Sequence, residues 1–325
     1  MAIRLYLHIG QPQAETGHIL ALLADNAAHL RRQGYGVVTV DPPKGAGSLP
    51  SLITEERRAD VAAFFSALKT KAEHENLEAV VLSLPGLCHV RAAGLLATAR
   101  GHFDCRVVYY FHRQDDHLVA AWAAGQYMTG IGLAAYIEQH LASAGRRLYR
   151  DVLEAYLEHF SAANMRVRLI WAPVLEQRSL SQDFWRTLDL GDVGLPDTPV
   201  APPEISPDLA EILGESPYLF AGTDDHEMTD FITSLRMSGG VAKANPLDID
   251  VRRKIMQHYQ PENRWIKQTF FADVHMAGWN AVPDSDDRSQ DVTMGGIAEA
   301  INLNLAMLKD LQQDVGRIKR KMGLK

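Results

Sequence analysis

The sequence predicts an α/β fold with three layers, helix, mostly parallel sheet and helix, followed by a long C-terminal helix. Short apolar runs, typical of buried strands, alternate with longer stretches of helical periodicity over the first half of the chain. The 325 residues are 46% apolar and 22% charged, which is ordinary globular composition. Polar clusters follow the first and the fourth predicted strand, where parallel sheets bind ligands.

The elements can be assigned in chain order from apolar spacing and from glycine and proline positions. The predicted strands are 3–9, 37–40, 79–84, 106–111 and 167–171. The predicted helices are 18–33, 55–74, 88–101, 112–128, 147–160, 182–189, 208–213 and 247–259. Residues 41–50 and 191–207 are predicted connections because they contain several prolines and glycines. We expect one domain over 1–282, then an acidic loop and the C-terminal helix over 283–325.

The last predicted helix covers about 293–323 and carries a seam of apolar residues. From Leu308 onward, the seam residues are spaced three and four apart, as in a coiled coil: Leu308, Leu311, Val315, Ile318 and Met322. Two interpretations stay open. The seam either docks on the rest of the chain or joins two copies in a homodimer.

Charge and composition exclude several classes of protein. The formal net charge of −7 argues against a dedicated nucleic-acid binder, which normally has a basic face. Cys88 and Cys105 have no metal-ligand spacing and form no disulfide framework, which fits a reducing compartment. No apolar run approaches the roughly 20 residues that a membrane span needs. We therefore expect a soluble, cytoplasmic protein without a membrane span or a nucleic-acid partner.

The first strand ends in a glycine loop that leads into a helix. The apolar run 3–9 ends at Gly10, a loop continues to Gly17, and helical periodicity begins at His18. Strand, glycine loop and helix form the geometry of a phosphate cradle, because loop N–H groups and the helix N-terminus favour an anion. The lysine that such cradles usually carry is absent from this loop.

Two motifs resemble the bacterial sulfotransferases that use 3′-phosphoadenosine 5′-phosphosulfate (PAPS). His8-Ile9-Gly10-Gln11-Pro12 matches the family's His-Ile-Gly-x-Pro. The next five family positions, Lys-Thr-Gly-Thr-Thr, fall on Gln13, Ala14, Glu15, Thr16 and Gly17. The second motif, Val108-Tyr109-Tyr110-Phe111-His112-Arg113-Gln114-Asp115-Asp116, is similar to the family strand that ends in Arg-Arg-Gln-Asp-Asp.

Two later segments also resemble segments of this family, and they occur in the same order along the chain. Asp183-Phe184-Trp185 resembles its Asp-Phe helix, and Asn263-Arg264-Trp265-Ile266 resembles its Ser-Asn-Arg-Trp element. The resemblance implies a P-loop sulfotransferase-like fold. It also implies transfer of a sulfuryl group from PAPS to a hydroxyl, on a carbohydrate acceptor, with adenosine 3′,5′-bisphosphate (PAP) as the product.

The resemblance also implies the roles of particular residues. The phosphosulfate would contact Gly10, Gln13, Ala14, Glu15, Thr16 and Gly17. Arg113 would bind the nucleotide 3′-phosphate, and the family's partner serine falls on Ala121. His8 and His18 are the candidate bases. No metal is expected, because the polar residues of 112–117 all come from one turn.

Structural alternatives stay open for each of these residues. His8 is also compatible with a hydrogen-bonded core residue, and His18 with an exposed residue of the first helical turn. Arg113 is compatible with a salt bridge to Asp115 or Asp116. The loop itself is compatible with a simple strand-to-helix turn whose acidic residue favours the helix dipole.

Two functional hypotheses follow from these motifs. The first is an active sulfotransferase. The second is a catalytically inactive member that acts as a binding or assembly protein in glycan metabolism. Gln13 in place of the lysine favours the second, because one lost preorganised donor costs about 3–4 kcal/mol of transition-state stabilisation. Glu15 favours it as well, since its carboxylate would repel a neighbouring polyanion.

Overall fold

The computed structural model describes most of the chain, in two compact units. The described residues are 2–11, 16–39, 48–84, 86–143, 147–191, 205–215, 220, 222, 246–272, 274, 278–282 and ten single positions between 301 and 321. The first unit consists of Met1–His117, Arg147–Ala201 and Gln257–Ala281; the second consists of Leu118–Arg146, Pro202–Met256 and Val282–Lys325. The predicted boundary after residue 282 stays a prediction.

A five-stranded, all-parallel sheet forms the centre of the first unit. Its strands are β1 (Arg4–His8), β2 (Tyr35–Val38), β3 (Ala79–Ser83), β4 (Asp104–Phe111) and β5 (Met165–Leu169). They are ordered β2-β3-β1-β4-β5, and each neighbouring pair is parallel. All five predicted strands are confirmed, with ends that differ from the prediction by at most two residues.

The middle strand, β1, is apolar on both faces. Leu5 and Leu7 pack into the hydrophobic cluster on one side of the sheet. Tyr6 packs into the cluster on the other side, together with Val81 and Val108 of the neighbouring strands. A parallel strand that is buried on both faces requires helices above and below it.

Helices cover both faces of this sheet. The first unit contains α1 (Thr16–Asp25), α2 (Ala27–Arg32), α3 (Leu49–Thr54), α4 (Arg58–His74), α5 (Val90–Leu96), the start of α6 (Gln114–Ala123), α8 (Arg150–Leu157), α9 (Leu180–Thr187) and α12 (Gln260–Phe270). Apolar residues of α1, α2 and α9 share the cluster of Tyr6. Those of α3, α4, α5, α8 and α12 share the cluster of Leu5. This arrangement confirms the α/β class and is compatible with the predicted three layers.

Several predicted helix boundaries are wrong. The predicted helix 18–33 is two helices that break at Asn26, whose side-chain Nδ2 donates to the Leu22 carbonyl at 2.8 Å. An asparagine that bonds the local backbone competes with helical hydrogen bonding. The predicted loop 41–50 ends early, because Ser48 caps α3 by accepting a hydrogen bond from the Ser51 amide. The predicted helix 112–128 ends at Ala123, as α6.

The second unit is helical in its described parts. It contains the end of α6, α7 (Leu133–Ala142), α10 (Pro207–Gly214) and all but the last two residues of α11 (Ile249–His258). No element is predicted from the sequence between 128 and 147, where the structure has α7. All ten described positions between 301 and 321 are helical, which agrees with the predicted C-terminal helix. Among the described helices, none has both the length and the apolar character to cross a membrane.

Candidate functional site

The two predicted motifs meet at one edge of the sheet. From β1 the chain runs to β2, on one side of the sheet, whereas from β4 it runs to β5, on the other side. β1 and β4 are neighbours. Their carboxyl ends therefore form a topological switch point, where open parallel sheets bind ligands. The loop after Ile9 and the residue Arg113 both follow these two ends.

The two motifs lie at different heights along the strands. His8 of β1 is paired with Val108 of β4, and the Ile9 amide donates to the Val108 carbonyl at 3.0 Å. β4 then continues to Phe111. At a rise of about 3.3 Å per residue, these three further residues place the end of β4 about 10 Å beyond the level of His8. β4 therefore extends further along the strand direction than β1 does.

His8 is fully buried at the end of β1. Its Nδ1 lies 2.7 Å from the Ser83 Oγ at the end of β3, and its ring is edge-on to Phe184 at 5.8 Å between centroids. Desolvation by burial lowers the pKa of His8 to about 3, so the ring is neutral near pH 7. A ring with so low a pKa is a weak base. It suits a hydrogen-bonding role better than proton abstraction.

The second ring nitrogen of His8 faces the glycine loop. The buried Nε2 has no hydrogen-bond partner within the described part of the chain. A Cβ added at Gly10 would lie 2.8 Å from Cε1 and 2.9 Å from Nε2 of this ring, and closer still to the Thr16 Oγ1. Only glycine therefore leaves room for the imidazole and the threonine hydroxyl beside this backbone. The ring nitrogen, the loop and the start of α1 converge there.

Thr16 is the first residue of α1 and closes the loop from the other side. Its Oγ1 donates to the Gln11 carbonyl at 2.5 Å. Gln11 is itself buried, and its Oε1 has no partner among the described residues. The first N–H groups of an α-helix have no partner inside the helix, and the helix dipole is positive at this end. The start of the ten-residue helix α1 therefore carries partial positive charge.

The remaining loop residues are placed as follows. Gln13, Ala14 and Glu15 lie outside the described residues. Gly17 lies in the first turn of α1, where an added Cβ would meet no atom within 4 Å. His18 is buried rather than exposed, and its Nε2 lies 3.3 Å from the Ser181 Oγ of α9. The alternative of an exposed first-turn histidine is therefore wrong.

Arg113 forms a salt bridge at the end of β4. Its Nε and Nη2 donate to the two carboxylate oxygens of Asp115, each at 3.1 Å, and Nη1 donates to the Ala281 carbonyl at 2.8 Å. The Arg113 side chain is 9% exposed and that of Asp115 is fully buried. Of the two carboxylates considered from the sequence, Asp115 is the partner. Three of the five guanidinium N–H groups thus have partners among the described residues.

A buried amide cluster supports this arginine. Gln114 and Asn263 exchange hydrogen bonds in both directions, and Asn263 also donates to the Asn280 Oδ1 at 3.0 Å. The cluster ties the start of α6 to α12, so it holds the backbone on which Arg113 lies. Asn263 belongs to the segment that resembles the family's Ser-Asn-Arg-Trp element. Its pairing with Gln114, 149 residues away, has no local signal in the sequence.

Ala121 has only a methyl side chain, and Asp183 is engaged in contacts within the first unit. Ala121 is half-buried in α6 and belongs to the second unit. Asp183 is buried and accepts hydrogen bonds from Arg168, from the Tyr110 hydroxyl at 2.6 Å and from the Glu176 amide at 3.0 Å. These contacts fasten α9 to β4 and β5. The Asp-Phe segment therefore has a structural role here.

Other features of the structure do not coincide with this edge. A cavity of about 410 Å³ lies between α2, β2 and α4 at the outer edge of the sheet, and none of the predicted site residues lines it. The ion pair of Arg31 with Glu75, 2.6 Å apart, contributes to its lining. Over the described ranges, no three His, Cys, Asp or Glu side chains come together as metal ligands.

Comparison with known proteins identifies no family. A scan against protein-family models gives no match, and a search of curated proteins gives none either. The fold alone defines the class: an α/β protein with a five-stranded, all-parallel sheet. The sulfotransferase resemblance depends on the motif residues alone.

Proposed function

We propose that this protein binds PAPS, or its product PAP, at the carboxyl edge of β1 and β4, and that it transfers the sulfuryl group to a carbohydrate hydroxyl. The observation that carries the proposal is the convergence of both motifs at one switch point. The first motif begins at His8, the last residue of β1, and the second begins in β4 and reaches Arg113 just after that strand ends. They are about 100 residues apart in the chain, yet their strands are adjacent.

The proposed ligand is elongated, and the end of β4 extends beyond the end of β1. The end of β4 lies about 10 Å beyond the level of His8. An adenosine that carries phosphate groups on its 3′ and 5′ oxygens presents anions at two separated points. In our proposal the 5′ group lies at the start of α1 and the 3′-phosphate lies at Arg113, where the guanidinium N–H groups not used by Asp115 and Ala281 bind it.

The chain's own groups determine how the 5′ anion is held. In this proposal the first amides of α1 bind the anion, and the His8 Nε2 adds a neutral donor when Ser83 donates its hydroxyl hydrogen to Nδ1. The Thr16 hydroxyl hydrogen is already donated to the Gln11 carbonyl. In the transfer step the acceptor oxygen attacks sulfur, the bond from sulfur to the 5′-phosphate oxygen breaks, and PAP leaves. The acceptor proton passes to a base, and the pKa of His8 makes this ring a weak candidate for it.

Calorimetric titration with PAP tests the binding. We expect wild type to bind with a micromolar Kd, about −8 kcal/mol, and Arg113→Ala to lose at least about tenfold in affinity. Arg166→Ala is the matched control. Arg166 also forms a bidentate pair with an aspartate, Asp189 at 2.8 and 2.9 Å, but it lies near the amino end of β5. Its variant should bind PAP as wild type does. No binding at millimolar PAP would refute the proposal.

A second candidate function is binding without catalysis, in glycan metabolism. The pairing of Arg113 with Asp115 favours it, because this carboxylate neutralises a cation at the site. Gln13 in the lysine position favours it too. Incubation with ³⁵S-labelled PAPS and a panel of carbohydrates distinguishes the two functions. Labelled product supports the transferase, whereas PAP binding without product supports the binding protein.

A further inference from the structure

The C-terminal helix exposes a row of large apolar side chains. Seven large apolar residues of the described chain are exposed, and four of them are on this helix: Ile301, Leu311, Val315 and Ile318, at 54%, 61%, 44% and 55% exposure. The other three lie on separate elements. Single exposed apolar residues are normal on protein surfaces, but a contiguous row of them marks an interaction site.

These four residues occupy the seam positions of one heptad repeat. If Ile301 is position a, Leu311 is d, Val315 is a and Ile318 is d. In the sequence, the remaining a and d positions are apolar except for Asn304 at one d position: Met294, Ile297, Leu308 and Met322. From 294 to 322 this is about four heptads, a length that is sufficient for a stable coiled coil.

The helix buries a different face within the chain. Leu303, at position c, is 4% exposed, and Met307 and Asp314, at position g, are half-buried. Asn304 and the four apolar seam residues are exposed. Of the two interpretations of the seam, docking on the rest of the chain is therefore wrong for its described positions. At these four described apolar positions the a/d face is exposed.

We propose that this seam joins two copies of the chain in a parallel, in-register coiled coil. The polar residue Asn304 lies at a d position. A single polar residue in an otherwise apolar seam favours the register that keeps it away from the apolar positions of the partner helix. Asp314, at position g, faces position e of the next heptad in a parallel partner, which the sequence fills with Lys319. The sequence of the seam is thus complementary in polarity and charge to itself.

The intrahelical pair of Asp314 does not oppose this arrangement. Arg317 and Asp314 form an ion pair three residues apart, with side chains 64% and 48% exposed. Exposed pairs of this kind contribute little to stability, so Asp314 can exchange partners. The proposal is independent of the sulfuryl-transfer function, because it uses none of the residues at the sheet edge.

Sedimentation velocity of the full chain tests the proposal. We expect wild type at micromolar concentration to sediment as a dimer, with twice the mass of the 36.0-kDa chain. The double variant Leu311→Glu with Val315→Glu should sediment as a monomer with an unchanged circular dichroism spectrum, because both positions are exposed. The control Val90→Lys replaces an apolar residue that is 52% exposed outside the seam, and it should stay dimeric. A monomeric wild type, or a double variant that stays dimeric, would overturn the proposal.

Charge reversal and cross-linking test the orientation. Asp314→Lys should raise the dimer Kd at least about tenfold, and adding Lys319→Asp should restore it. Ile301→Cys and Ile318→Cys should each form a disulfide with the same residue of the second copy under mild oxidation. Wild type, which keeps Cys88 and Cys105, is the control and should not cross-link. Disulfides that form only in a mixture of the two variants would show an antiparallel pair and overturn the in-register arrangement.

Discussion

Substitution of Gly10 by alanine should disrupt the cradle with little effect elsewhere. The new Cβ would lie within 2.9 Å of two atoms of the His8 ring and closer still to the Thr16 Oγ1. Both neighbours are buried, so neither side chain can move freely. Overpacking of this kind costs about 1–3 kcal/mol. Displacement of the Thr16 hydroxyl from the Gln11 carbonyl costs about 1 kcal/mol more. We therefore expect a loss of about 2–4 kcal/mol in the free energy of unfolding.

Gly17→Ala is the matched control for this experiment. Gly17 is the other glycine of the motif, it lies in α1, and an alanine Cβ there meets nothing within 4 Å. Alanine in a helix should leave stability unchanged or raise it by up to about 1 kcal/mol. Urea unfolding measures both variants, with Gly17→Ala as the control for stability, and titration with PAP measures the affinity of Gly10→Ala. If Gly10→Ala unfolds at the wild-type urea concentration and binds PAP as wild type does, the packing argument is wrong.

Two further predictions concern buried groups of the first unit. Asp183→Ala should lower the free energy of unfolding by about 3 kcal/mol, because it leaves Arg168 and a tyrosine hydroxyl without their acceptor. The control Asp250→Ala, at a side chain that is 88% exposed, should change this free energy by less than about 0.5 kcal/mol. Urea unfolding measures both variants, and equal effects would refute the argument. Wild type should lose stability as the pH falls from about 6.5, the usual pKa of histidine, toward 3, because the unfolded chain takes up a proton that folded His8, with a pKa of about 3, cannot. The free energy of unfolding should fall by about 1.4 kcal/mol per pH unit in this range. The variant His8→Gln should lack this contribution. If wild type and His8→Gln show identical slopes of stability against pH, the buried, neutral ring is contradicted.

The strands could be predicted from the sequence because their signals are local. Runs such as 79–84 are continuously apolar and are bounded by glycine, proline or polar residues. Such a run must lie between two helical layers, and the alternation of elements then predicts a parallel sheet. The placement of both motifs at strand ends follows from the same local pattern. The sheet edge was therefore predictable as a candidate site.

The contacts inside the site could not be predicted, because they join distant parts of the chain. The hydrogen bond between His8 and Ser83 depends on the pairing of β1 with β3, and the amide pair of Gln114 with Asn263 depends on how α12 packs. Neither pairing can be predicted from the local periodicity of the sequence. The choice of Asp115 as partner of Arg113 is set by side-chain geometry that the sequence alone does not determine. The break at Asn26 depends on a single side-chain hydrogen bond.

The most direct test of the proposed cradle is the ring nitrogen of His8 itself. Imidazole ¹⁵N NMR of the full chain, with His8 assigned by comparison with His8→Gln, reports the Nε2 environment while PAP is added. We expect a neutral ring at pH 7 whose Nε2 resonance moves until PAP saturates the protein, with the same Kd as calorimetry. A resonance that does not move while PAP binds would place the nucleotide elsewhere and contradict the cradle at Gly10 and Thr16.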